Sequence, residues 1–292
     1  MMRLSFIKME SAGNDYVYLD ADSGRIPQLD WSRLSKRLSD RHKGIGGDGL
    51  ILILPSDKAD FQMRIFNADG SEGDMCGNGV RCLAGYVWGD GLIAENTFAV
   101  QTVDGIVELE VSSRENALWA EAKMTPPQFL RKDIPMTGPG ESLCMGDILK
   151  VEGFEMPIHA VRVGNPNCIM FVDDLQQIDL ETLGPVFESH PVFPEKTNVE
   201  LASIADRHNI NARVFERGTG ITQSCGTGAC AVAVMAIRRG DCDSPVSVHM
   251  PGGCLQVKWD GDENIVLAGP VRETFRGMAY VPDDFKVRRT ED

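Results

Sequence analysis

Two stretches of this chain begin alike. Met75 to Val87 reads MCGNGVRCLAGYV, and Ser224 to Ile237 reads SCGTGACAVAVMAI. Each carries Cys-Gly-x-Gly and passes straight into small and apolar residues, and the leading cysteines, Cys76 and Cys225, stand 149 positions apart. Other landmarks keep the interval. Gly13-Asn14 recurs as Gly164-Asn165 after 151 residues, and RIFN from Arg64 is answered by RVFE from Arg213 after 149. VDGIVELEV from Val103 is answered by PGGCLQVKW from Pro251 after 148. Landmarks in one order at one spacing describe a duplicated unit. The period is far too long for a solenoid, so the chain is expected to form two homologous lobes related by a pseudo-twofold.

The local signals repeat as well. FIKME, YVYLD, LILIL, FQMRIF, FAVQTV and IVELEV in the first half read as short strands between Gly, Asp and Asn turns. Their counterparts in the second half are HAVRV, CIMFV, NVELASI, ARVFE, VSVHM and LQVKW. A helix should follow each Cys-Gly-x-Gly. ACAVAVMAI, Ala229 to Ile237, has no polar stripe, so its helix belongs inside the protein, enclosed by strands. Arg238 and Arg239 would oppose the negative end of that helix and Gly240 would cap it. The expected fold is therefore α+β: two pseudo-symmetric lobes, each a curved mixed β-sheet or barrel wrapped around a central buried helix, with the active site between them. The lobes are expected at 1–121 plus 274–292 and at 122–273.

Composition narrows the class. With 292 residues, 42% hydrophobic and 25% charged, the chain has the makeup of a globular protein. A formal net charge of −14 argues against nucleic acid, whose phosphates need clustered Lys and Arg. Charges at Arg3, Lys8 and Glu10 leave no room for an apolar signal core, and no stretch is apolar enough for a membrane span. Of the eight cysteines none forms a CxxC, and the five histidines lie far apart, so metal spacing is absent. The expectation is a cytoplasmic protein with free thiols, no metal and no membrane or nucleic-acid partner. A homodimer is compatible with the sequence, which does not itself give an oligomeric state.

A cysteine at a helix N-terminus meets unpaired N–H groups and a partial positive charge, which favour its thiolate and lower its pKa. Glycines at 77, 79, 226 and 228 let the backbone approach a ligand, and the same N–H groups can bind a carboxylate. Under a pseudo-twofold, two such termini could hold one carbon between two sulfurs, a thiolate on one side and a thiol on the other, the geometry for inverting a stereocentre. A free cysteine is commonly a small buried packing residue, and Cys82, Cys230, Cys144, Cys168, Cys242 and Cys254 are read that way. A resting disulfide between Cys76 and Cys225 would leave an enzyme that needs reductant. GIGGDG, Gly44 to Gly49, satisfies G-x-G-x-x-G but follows a helical segment and opens into a strand. Both flanks are reversed for a dinucleotide site, so it is read as a glycine-rich turn.

At these residues the sequence resembles the diaminopimelate epimerases, pyridoxal-phosphate-independent amino-acid epimerases of lysine biosynthesis. The similar segments are KMESAGNDYVYLD, RHKGIGGDGLILI, MRIFNADGSEGDMCGNGVRC, VGNPNC, HPVFPEKTNVE, RVFERGTGITQSCGTGAC and PGGCLQVKW, spread from residue 8 to 259. The resemblance implies a cofactor-independent isomerase that interconverts LL-2,6- and meso-diaminopimelate for lysine and cell-wall precursors, with Cys76 and Cys225 as acid/base residues. It implies that Gly77-Asn78 and Gly226-Thr227 hold the carboxylate at the reacting centre through backbone N–H groups. It places Asn14, Asn67, Asn165, Asn198 and Arg217 on the substrate, mostly on its distal end, and Glu216 beside the cysteines, tuning them. Amides and one guanidinium suit a zwitterionic end group, although an asparagine by itself is commonly a turn residue.

The departures are few. Asn167 stands where the family usually has histidine, and an amide cannot titrate, so proton tuning falls on Glu216 or elsewhere. Glu10, Gly49 and Ile221 also differ from common family residues and read as tolerated variation. Two other readings are a racemase of another amino or hydroxy acid on the same scaffold, and a non-catalytic amino-acid-binding or thiol-redox protein. The separation of the matched cysteines into different repeats disfavours redox chemistry.

Overall fold

The computed structural model describes every residue except 22–25, 74, 115–116, 152–153, 263 and 288–292. The chain divides into two compact units, one of Met1–Ala122 with Pro270–Asp292 and one of Lys123–Gly269. Among the described residues the α-helices are α1 (Trp31–Ser39), α2 (Gly77–Gly89), α3 (Leu180–Glu188) and α4 (Gly226–Arg239); most other regular structure is β-strand.

In the first unit Met2–Ser11 and Asn14–Asp20 form a hairpin whose turn, Ala12-Gly13, has φ of 51 and 80°. Both residues sit in the left-handed region, as a two-residue hairpin turn with the right twist demands. Asn14–Asp20 then pairs in parallel with Gly49–Leu54, with α1 between them in sequence. Gly49–Leu54 pairs antiparallel with Phe61–Asn67, and Phe61–Asn67 pairs with Glu72–Gly73 and, in parallel, with Thr97–Thr102, which follows α2. Thr97–Thr102 and Gly105–Arg114 close with a further hairpin.

The second unit repeats this order. Phe154–Val163 and Asn165–Phe171 form the hairpin, and Asn165–Phe171 runs parallel to Asn198–Asp206, with α3 between. Asn198–Asp206 pairs with Asn209–Glu216, which pairs with Gly220–Thr222 and, across α4 in the chain, in parallel with Val246–Met250. Val246–Met250 and Gly253–Trp259 close the series. Mixed pairing with few helices is the expected α+β arrangement. GIGGDG is a turn that leads from α1 into the strand Gly49–Leu54, as its flanks predict.

The two central helices explain the pattern. From Ala229 to Ala236 every residue of α4 is fully buried, and the helix packs on strands of its own unit from Phe154–Val163 round to Gly253–Trp259. Burying Val232, Val234 and Met235 stabilises the unit by roughly 1.5–3 kcal/mol each, the return on a helix with no polar face. Arg238 and Arg239 lie in its last turn, and Gly240 ends it at φ 82° with its N–H bonded to the Ala236 and Ile237 carbonyls. Helix α2 is buried from Gly77 to Gly85 against Met2–Ser11, Asn14–Asp20 and Gly105–Arg114. By contrast α1 is amphipathic: Leu34 and Leu38 enter the core, Arg33, Lys36 and Arg37 stay outside, and Asp30 caps its Arg33 N–H.

Candidate active site

Each unit starts its buried helix with the same device. Cys76 is the N-cap of α2 and Cys225 the N-cap of α4, with extended backbones at φ −132°, ψ 114° and φ −136°, ψ 122°. The Cys76 sulfur accepts from the Gly79 N–H at 3.3 Å, and the Cys225 sulfur from the Gly228 N–H at 3.5 Å. Serine, threonine and aspartate are the usual caps. A sulfur caps more weakly, but here a thiol sits at the positive end of each helix. The third helical residue is glycine at both sites, and a side chain there would be crowded. A methyl group on Gly79 would meet Ile51 Cδ1 at 2.8 Å and Cys76 Sγ at 3.5 Å, and one on Gly228 would meet Glu200 Oε1 at 3.0 Å. All eight cysteines are free thiols.

Around Cys76 the strand Asn14–Asp20 supplies the neighbours. The thiol donates to Asn14 Oδ1 at 3.2 Å, and Asn14 Nδ2 donates to Asp48 Oδ2 at 2.6 Å. Asp48 also accepts from the Asp15 N–H at 3.0 Å and from Arg41 Nη2 at 2.9 Å. The Tyr16 phenol lies against both Cys76 and Asn14; burial, with the Cys76 and Asp48 charges, pushes it well above the usual phenol range. Asn67 and Asn78 are engaged elsewhere. Asn67 Nδ2 donates to Ser71 Oγ at 2.9 Å, closing its own turn. Asn78 Oδ1 accepts from Arg81 Nη2 at 2.6 Å, and Arg81 Nε returns to the Gly77 carbonyl at 3.2 Å.

Around Cys225 the amides form a chain. Asn167 Nδ2 donates to the Asn165 carbonyl at 2.7 Å, and Asn198 Nδ2 donates to Asn167 Oδ1 at 3.3 Å. The same Asn198 nitrogen faces the Cys225 sulfur at 4.0 Å, while Asn198 Oδ1 accepts from the Arg217 N–H at 2.9 Å. Thr227 Oγ1 lies 3.3 Å from the sulfur, and the Cys225 N–H points to Met250 Sδ at 3.4 Å. Arg217 Nη1 donates to the Glu195 carbonyl at 3.1 Å, and the adjoining Gly218 N–H donates to Glu188 Oε1 at 2.9 Å. Thr222 Oγ1 donates to Glu216 Oε1.

One sequence expectation is overturned. The helix-terminus argument predicts a lowered thiol pKa, yet Cys225 is held well above the usual thiol range. Burial is the largest cause and the Glu216 charge the next; the bonds from Thr227 and the Gly228 N–H oppose them and lose. Desolvation of a sulfur sunk this far outweighs a half-charge at a helix end. Beneath Gly228 lies Glu200, fully buried, with no hydrogen-bond partner for either oxygen among the described residues. Burial and then the Glu216 charge push its carboxyl well above the usual range. The matching position in the first unit is Ile51.

Sequence reasoning names Asn14, Asn198 and Thr227, which lie beside the sulfurs, but misses other residues around them. Asp48 stood inside a glycine-rich turn, Tyr16 and Glu200 inside strand patterns, and Thr222 after a divergent Ile221. The repeat itself carries the signal for Glu200, because a glutamate answers Ile51 at the 149-residue interval. Among the described residues no group of His, Cys, Asp or Glu could hold a metal, and no helix is long and apolar enough to cross a membrane.

Comparison with known proteins gives a consistent result. The profile of the family described as diaminopimelate epimerase matches residues 6–130 and 159–274. The diaminopimelate epimerase of Desulfitobacterium hafniense is 41% identical over 277 residues, 94% of this chain and 98% of that one. Among solved structures, a PhzF-family phenazine biosynthesis protein of Bacillus anthracis superposes with a TM-score of 0.72 at 21% identity, covering 96% of this chain and all of that one. A hydroxyproline epimerase from Agrobacterium vitis, solved with bound trans-4-hydroxy-L-proline, gives 0.67 at 14% identity over 98% and 96% of the two chains. At such identities these structures speak for the fold alone.

Proposed function

The chain belongs to the diaminopimelate epimerase family, and we propose that it carries out that epimerisation with Cys76 and Cys225 as its acid/base pair and with no cofactor. It is an isomerase whose reaction interconverts LL- and meso-diaminopimelate. What supports the assignment of the thiols is that each unit independently places a cysteine sulfur at the N-cap of its buried helix, bonded to the third N–H of that helix.

The proposed chemistry is a two-base proton exchange. One sulfur, as thiolate, takes the α-proton; the other, as thiol, delivers a proton to the opposite face, and the two exchange protonation states in each turnover. The N–H groups of Gly77-Asn78 and Gly226-Thr227 hold the carboxylate next to the reacting carbon, so charge developing on it in the transition state meets fixed donors. A thiolate must first form. Cys225 resists ionisation because of burial and Glu216, and an arriving α-ammonium favours it by opposite charge. Glu216, oriented by Thr222, is the adjacent carboxylate that sets this balance.

At the distal end Arg217 grips the second carboxylate. Its loop is prepared by Asn198 at the Arg217 N–H and by Glu188 at Gly218. Asn67 and Asn165 contribute amide contacts to the same end group, and Asn14 and Asn198 are released from the sulfurs to substrate on binding. A cytoplasmic location suits the mechanism, since thiols stay reduced there. The test is replacement of either sulfur. Cys76→Ala and Cys225→Ala should each lose epimerisation altogether, because each face of the α-carbon needs its own proton handler; near-normal turnover in either variant rejects the assignment.

A further inference from the structure

Two asparagines touch the two catalytic sulfurs, and they do so with opposite ends of their amides. Asn198 must turn its oxygen to the Arg217 N–H, which can only donate, so its NH2 faces Asn167 Oδ1 and Cys225. Asn14 must turn its NH2 to the Asp48 carboxylate, which accepts, so its oxygen faces Cys76. An amide oxygen cannot donate. It bonds a thiol and repels a thiolate.

We propose that Asp48 is a positioning residue for Cys76: by fixing the Asn14 amide it holds an acceptor oxygen on the sulfur, which keeps this thiol protonated until substrate takes Asn14 away. The proposal deepens the reading of Cys76 as an acid/base residue and rests on it. Asp48 is itself well anchored. One of its oxygens takes both the Asn14 Nδ2 and the Asp15 N–H, and the other takes Arg41 Nη2. Arg41 also binds Asp15, at 2.6 Å, and Asp15 binds Lys8. The carboxylate is thus fastened from outside and presents one fixed acceptor inward.

Other titratable groups near Cys76 are silent in the useful range. Tyr16 and Tyr18 of the strand Asn14–Asp20 are pushed well above the phenol range by burial, and Cys82 on α2 is pushed up to about 12. Charged neighbours on the packed elements are Glu10 on Met2–Ser11 and Arg81 on α2, both of which act on Cys82, with Asp48 in the turn before Gly49–Leu54.

The experiment is alkylation of the full-length protein by iodoacetamide at a series of pH values, with the Cys76 peptide quantified by mass spectrometry. Only thiolate reacts, so the midpoint of rate against pH reads Cys76 directly. In Asp48→Ala the Asn14 amide loses its anchor, turns, and can donate to the sulfur. The midpoint should fall by roughly half to one pH unit, about three- to tenfold in thiolate fraction, the scale of one hydrogen bond gained or lost. Asp48→Asn should stay close to wild type, because its Oδ1 can take the Asn14 and Asp15 donors, while the exposed Arg41, which its NH2 cannot accept from, keeps its bonds to Asp15. If Asp48→Ala does not fold, Asp48→Ser makes the same test, its hydroxyl being too short to reach Asn14. An unchanged midpoint in the alanine or serine variant overturns the proposal. So does an asparagine variant that shifts as far as alanine, since charge and not amide orientation would then be at work. The readout needs no turnover, so its failure is distinct from that of the two-thiol assignment, which epimerisation by Cys76→Ala would sink.

Discussion

Glu200→Gln tests how far burial governs the chemistry around Cys225. The wild-type carboxyl, fully buried, has a folded pKa well above its ordinary 4.5, from burial first and the Glu216 charge second. A folded pKa raised in this way gives stability that is complete below the unfolded value and lost as pH climbs toward the folded one. The folded state keeps a proton that the unfolded chain releases. The slope is about 1.4 kcal/mol per pH unit while Glu200 stays protonated. The carboxyl therefore makes the fold less stable as pH rises above the ordinary glutamate range. Glutamine has the same shape and does not titrate. Its own buried amide shifts stability by a constant amount, so the signal is the change with pH and not the offset. His159, lowered to about 4 by burial and Arg239, has the opposite slope at the acid end, but it is common to both proteins and cancels. Cys225 and Cys168 ordinarily ionise near 9.0, so neither loses a proton on unfolding within this window. Urea unfolding of both proteins at about pH 5.5, 6.5 and 7.5 should show glutamine gaining on wild type as pH rises, with about 1.4 kcal/mol per unit as the ceiling. Parallel curves would mean that Glu200 is ionised in the fold, and the account of Cys225 as held up by burial would lose its nearest support.

Two further outcomes follow from the site. Arg217→Lys keeps the charge but loses the paired donors, and should cost on the order of 2–4 kcal/mol in kcat/KM for diaminopimelate; efficient turnover of monocarboxylic amino acids by wild type would contradict the role given to Arg217. Asn167→Ala removes the acceptor that Asn198 Nδ2 uses at 3.3 Å and should lower kcat several-fold, whereas Asn167→His should add a limb near pH 6.5 to the pH–rate profile and leave substrate preference intact.

The doubled architecture was legible because the repeat constrains the chain at many points at once. Gly13 with its counterpart Gly164, and the two Cys-Gly-x-Gly peptides, mark turns and helix starts whose geometry tolerates few residues, so they survive in both halves. The unbroken apolar run of Ala229–Ala236 gave away a helix that strands enclose, since no other setting hides it. What escaped was long-range. Asp48 meets Asn14 only because Gly49–Leu54 lies parallel to Asn14–Asp20, and nothing in either segment announces that pairing. The shift at Cys225 depends on burial and on the place of Glu216, and neither is a property of the helix start from which the opposite sign was argued. Asn14 and Asn198 match residues tied mainly to the distal end of substrate, yet their amides lie at the sulfurs, a contact that the spacing of the motifs does not reveal.

The two-thiol claim is tested most directly by the fate of the α-proton. Epimerisation would be run in deuterium oxide from each stereoisomer separately, with label followed in product and in remaining substrate at low conversion. If one sulfur removes the proton and the other, already equilibrated with solvent, delivers its own, product acquires one deuterium per turnover while unreacted substrate stays unlabelled, and this holds from either direction. Substantial protium carried from substrate into product would mean that one group both removes and returns the proton, and Cys76 and Cys225 could not then be the acid/base pair.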